Sequence, residues 1–70
     1  MMPLALAEQG KENTIVKVDG KPETKKFLES LGFVTGSQVS VVAKQGGNVI
    51  VNVKNSRVAI GADMANLIMV

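Results

Sequence analysis

Two runs in the middle of the chain alternate. Val39 and Val41 face one way against Ser40 and Val42, and Val49, Val51 and Val53 oppose Ile50 and Asn52. A period of two lays one face of a strand on a core. The Gly46-Gly47 pair between the runs predicts a hairpin loop. Upstream, Ile15, Val16 and Val18 are β formers, and Asp19-Gly20 is a turn signal. Downstream, Lys54 to Arg57 reads as a second short turn in which Asn55 can take a left-handed conformation. Val58 and Ile60 then share one face of a short strand. Ile68 and Val70 share one face of a closing strand, with Leu67 and Met69 on the other.

One segment changes period. In "KPETKKFLESLGF", Phe27, Leu28 and Leu31 make an apolar stripe at helical spacing. Pro22 and Glu23 suit a first turn, where φ is preset and the dipole favours an anion. Gly32 fits the left-handed position after the last turn, with Phe33 following where a Schellman motif packs an apolar residue back on Leu28. A helix from Pro22 to Leu31 is too short to persist in isolation, so it is expected to dock through that stripe. Single helical turns are expected near Leu4 to Ala7 and at Gly61 to Leu67, where Asp63 can cap and Ala65 is small enough to sit against a sheet.

These elements predict a mainly β domain spanning 1–70. It is a small, bent, five-stranded barrel with one α-helix and short helical turns, closed so that its short strands leave no edge. The expected framework is Phe27, Leu28, Leu31, Val39, Val41, Val51, Ala65, Ile68 and Val70, with turns at Gly32 and Gly36.

Composition narrows the function. At 70 residues, a core rarely supplies more than about 3–5 kcal/mol. Without Cys or His there is no disulfide and no ordinary zinc site to add to it, so help from self-association or a partner is expected. The net charge is +2, and of the eight cations only Lys25 and Lys26 are adjacent. A nucleic-acid footprint needs cations clustered on one face, and stacking on single strands needs aromatics. The chain has two Phe and neither Trp nor Tyr. No apolar run reaches the roughly 18–20 residues of a membrane span, and the start lacks the cationic segment of a signal peptide. A cytoplasmic protein without direct membrane insertion is expected.

Catalysis has no visible machinery. The six carboxylates are scattered, and Ser30, Ser37, Ser40 and Ser56 lack an activating partner. "GSQVSVV" lacks the Gly-Lys-Ser/Thr step of a phosphate loop. Met1, Met2, Met64 and Met69 form no compact thioether set. No cofactor, metal or catalytic residue is expected, which leaves binding. The candidate surface is Lys25 and Lys26 with Leu67 and Met69, read as exposed.

Two families resemble parts of this pattern. "LESLGFVTGSQVSVV" resembles the swapped-hairpin, AbrB-like transcriptional regulators over the central third, without their basic, Arg-bearing segment. The ferrous iron transport protein A family, the FeoA-like domain, is similar over the whole chain. Leu4, Ala7 and Gly10 stand where that family has Leu-x-x-Leu-x-x-Gly. "FLESLGFVTGSQVSVV" matches its Leu-x-x-Leu-Gly core, and "SRVAIGADMANLIMV" its closing Ala-x-x-Ile-x-Val as Ala65, Ile68 and Val70. Three departures are visible. Ala7 replaces a Leu, Asn55 a common Gly, and Phe27 stands where a cation is frequent. The resemblance implies an SH3-like fold. It further implies a non-enzymatic cytosolic accessory of ferrous iron uptake, acting on the cytosolic part of the GTP-binding permease, ferrous iron transport protein B.

Overall fold

In the computed structural model, which describes residues 1–70, six strands fall into two ladders. The strands are β1 (Glu12–Thr14), β2 (Lys17–Val18), β3 (Gln38–Gln45), β4 (Asn48–Val53), β5 (Ser56–Gly61) and β6 (Ile68–Met69). Between them lie α1 (Pro22–Ser30) and the one-turn α2 (Ala62–Ala65), and a 3-10 turn (Leu4–Leu6) precedes β1. One antiparallel sheet runs β1-β3-β4-β5, and the other pairs β2 with β6.

Two strands stand where the pattern suggested one: β1 (Glu12–Thr14) lies ahead of the β formers Ile15 to Val18, and the chain breaks at Ile15 and Val16 before β2 (Lys17–Val18). Ile15 still belongs to the β3 side: its N–H donates to the Ser37 carbonyl, and its own carbonyl accepts from Gly36. The next residue has changed ladders, for the Val16 N–H donates to the Met69 carbonyl. Lys17 is also opposite Met69 in the register. Two residues facing one is the pattern of a β-bulge. It interrupts the alternation, so Val16 and Lys17 are both exposed while Ile15 is buried. The N-terminal residues complete this side, with Met2 and Val70 exchanging backbone hydrogen bonds.

A second irregularity curves the larger sheet. Val39 pairs with Val53 and Val41 with Val51, but the register shifts between Val41 and Ala43. Beyond that bulge Val42 and Ala43 are both half-buried. The hairpin between β4 and β5 turns on Lys54 and Asn55, both with positive φ (52° and 63°). That is the two-residue turn whose twist matches the strands.

Thirteen residues are buried, all apolar: Leu4, Ala7, Ile15, Leu28, Phe33, Val39, Val41, Val49, Val51, Val53, Ile60, Ala65 and Ile68. Leu31 and Val70 pack against this core from its rim. Phe27 does not join it and remains 49% exposed. The reason is angular. Successive helical residues are about 100° apart, so with Leu28 aimed at the core Phe27 points sideways, and Thr24 and Leu31 fall between them. The C-terminus of α1 is fixed by its backbone. Gly32 (φ 106°) donates to the Glu29 carbonyl and Phe33 to that of Leu28, the two bonds of a Schellman motif.

The barrel is not closed. After β5 the chain turns into α2, and β6 then pairs with β2 and meets Pro3 instead of returning to β5.

Two substitutions separate anchor from surface on α1. Leu28→Ala should cost about 2–5 kcal/mol in urea unfolding, from lost burial plus the cavity left behind. Phe27→Ala should stay within about 1 kcal/mol, as surface changes do.

Candidate functional site: the exposed face of α1

The four residues singled out from sequence do not form one patch. Lys25 and Lys26 are exposed on α1. Lys25 lines a shallow cleft of about 170 Å³ with Val18, Glu29, Phe33, Val34 and Thr35. Leu67 and Met69, expected to be exposed, are half-buried. Leu67 is held against the tight turn before α1: a Cβ on Gly20 would lie 3.1 Å from its Cδ1 and 3.7 Å from the Thr24 side chain. Leu67 therefore stands at the N-terminal end of the helix. Met69 is carried elsewhere, opposite Lys17 and bridged to Pro3.

Phe27 is what sequence reasoning assigned to the wrong side. It projects from α1 with half-buried Thr24 and Leu31 on its core-facing flank and exposed Glu23, Lys26 and Ser30 around it. The signal was in the sequence. Leu28 and Leu31 with Thr24 between them already fill a helix's narrow buried face, and Phe27 lies beyond its edge. An aromatic half in water beside half-buried Leu31 and a rim of charge has the composition of a protein-contact patch.

The largest depression, about 420 Å³, lies over the outer face of the four-stranded sheet. Its lining is Glu12, Gln38, Ser40, Asn52, Val53, Lys54 and Asn55. Ligand pockets are mostly apolar with a few placed polar groups, whereas this one has a single apolar residue and is open to solvent. Two of its side chains are already tied to neighbours outside it, Asn52 Oδ1 accepting from Arg57 Nε (3.2 Å) and Gln38 Nε2 donating to Thr14 Oγ1 (2.8 Å). No three carboxylates approach closely enough to hold a metal ion. The one ion pair, Lys17 Nζ to Asp19 Oδ1 at 3.5 Å, is exposed, where such pairs contribute little. No helix is long and apolar enough to cross a membrane.

Residues 2–70 match the FeoA domain. A protein of Methanocaldococcus jannaschii, provisionally named Fe(2+) transport protein A, is 40% identical over all of this chain and 85% of its own length. A crystal structure of an iron uptake regulatory protein (FeoA) superposes with a TM-score of 0.88 at 26% identity, over 96% of this chain and 91% of that one. The FeoA of Stenotrophomonas maltophilia, described in complex with zinc as a procaryotic SH3 domain protein, superposes with a TM-score of 0.85 at 25% identity, over 99% and 88%. The chain belongs to the FeoA domain family, and its fold is SH3-like. The swapped-hairpin alternative gains no support from these likenesses.

Gly20 (φ 110°) is where β2, α1 and Leu67 meet. Gly20→Ala should destabilise the domain by about 1 kcal/mol or more, through the backbone conformation and the crowding of Leu67. Amide and methyl shifts at Leu67 and Thr24 should report the change first.

Proposed function

We propose that this chain is a non-catalytic cytosolic accessory of ferrous iron uptake. In this reading it binds the cytosolic part of a GTP-binding iron permease, ferrous iron transport protein B, through the exposed face of α1. Membership of the FeoA family supports the transport role. The S. maltophilia relative is described as a candidate activating factor for bacterial ferrous iron transport. The observation that carries the surface is Phe27, a large aromatic left half in water by a helix whose core contact is made by Leu28.

The division of labour follows from burial. Phe27 is the anchor: interface energy concentrates in aromatic side chains that enter a pocket and lose their water. Leu31 and Leu67, already half-buried, supply an apolar floor, while Lys26 and Glu23 form a rim that orients the approach. Lys25, on the opposite flank beside Phe33, is peripheral to the contact. Leu67 is a poor probe by itself, because changing it also disturbs the Gly20 turn.

Titration of the permease's cytosolic part into the full chain tests this. Phe27→Ala should weaken binding at least about tenfold, the effect of a hot spot above about 1.4 kcal/mol. Unfolding should stay within about 1 kcal/mol of the parent. Lys26→Glu should lower the association rate and its salt dependence more than the dissociation rate. Unchanged affinity in Phe27→Ala would remove α1 from the contact.

A further inference from the structure

The open barrel leaves β5 with one bare edge. It pairs with β4 on one side and with no strand on the other. Its pairing with β4 is regular from Ser56 to Gly61, with no bulge. The strand has no Pro and one charge, Arg57, so it lacks most devices that blunt an edge. The two-residue turn at Lys54-Asn55 makes Val53 and Ser56 the hydrogen-bonded closing pair. Bonded and non-bonded pairs then alternate. Arg57 and Ala59 fall at non-bonded pairs with Asn52 and Ile50, so their N–H and C=O groups point outward, as does the Gly61 N–H.

We propose that this edge pairs with the same edge of a second copy, antiparallel about a two-fold axis through Ala59. The inference is independent of what α1 contacts. In that register Ala59 faces its own counterpart and Arg57 faces Gly61, so residues with outward backbone groups meet each other and can exchange hydrogen bonds. A one-residue slip would oppose an outward-pointing residue with an inward-pointing one. Val58 faces Ile60 of the other copy, which extends the apolar face and covers more of half-buried Val58. Charge selects the same arrangement. Each copy brings its basic end, Lys54 and Arg57, towards the other's exposed Asp63, and no like charges are opposed. The axis passes a small, exposed side chain, so nothing bulky keeps the strands apart.

Because Ala59 is exposed and lies on the axis, it gives a test that spares the fold. Sedimentation equilibrium of the full chain should show a monomer–dimer equilibrium at high concentration, and hydrogen exchange should show the Arg57 and Ala59 amides protected as dimer forms. Ala59→Lys should be monomeric with unchanged melting, since two lysines would face each other. Ala59→Glu should be monomeric for the same reason. An equal mixture of the two variants should dimerise again, a rescue that only a contact of residue 59 with itself explains. A parent chain that stays monomeric at millimolar concentration overturns the proposal, as does dimerisation that survives Ala59→Lys. Protection of these amides only on adding another protein's extended segment also overturns it, in favour of a hetero-partner at this edge.

Discussion

Everything in this fold depends on one short handover, the passage of the chain from β3 to β6 between Ile15 and Lys17. Ile15 is bonded on both sides of its peptide to the Gly36–Ser37 turn, and Val16 to Met69. Without that transfer the four-stranded sheet would have no strand linking it to β6. The two ladders would then not enclose Phe33, Ile68 and Leu4, which are fully buried. A bulge at this point meets two demands. It turns the strand sharply, and it gives nearly every backbone group a partner on one sheet or the other.

The handover also sets where the helix can go. β2 ends in the Gly20 turn under Leu67, and α1 starts there. Its far end is closed by the Gly32–Phe33 cap, with Phe33 driven into the core. A nine-residue helix held at both ends and docked chiefly through Leu28 has most of its circumference left in solvent. That geometry is economical for so small a domain. The interior is entirely apolar, so the polar and aromatic groups on the exposed face of α1 can change without disturbing the core. The same economy leaves the barrel open, because α2 takes the chain past β5 instead of back along it.

Much of the local structure was legible in the residues. The paired alternation around Gly46-Gly47, the Schellman signature at Leu28, Gly32 and Phe33, and the small Ala65 in a tight helical turn each have a cause within a few positions. They could be read because propensity, periodicity and turn chemistry act locally. The family resemblance was legible too, since it rests on the spacing of those same caps and turns.

What the chain's own pattern determined, then, is the central hairpin strands, where the helix starts and stops, and that the domain is a small mainly β module. Only the tertiary structure decided how those segments share partners. Ile15 to Val18 has one composition, but its residues split between two ladders because β3 and β6 compete for its backbone, and the competition is settled by neighbours more than twenty positions away. Helical spacing alone permits Phe27 a place in the core. Packing left it out because Leu28, with half-buried Thr24 and Leu31 beside it, takes up the face that α1 turns to the core. Leu67 and Met69, alike in sequence, were separated because one meets a glycine with no side chain and the other faces a bulge.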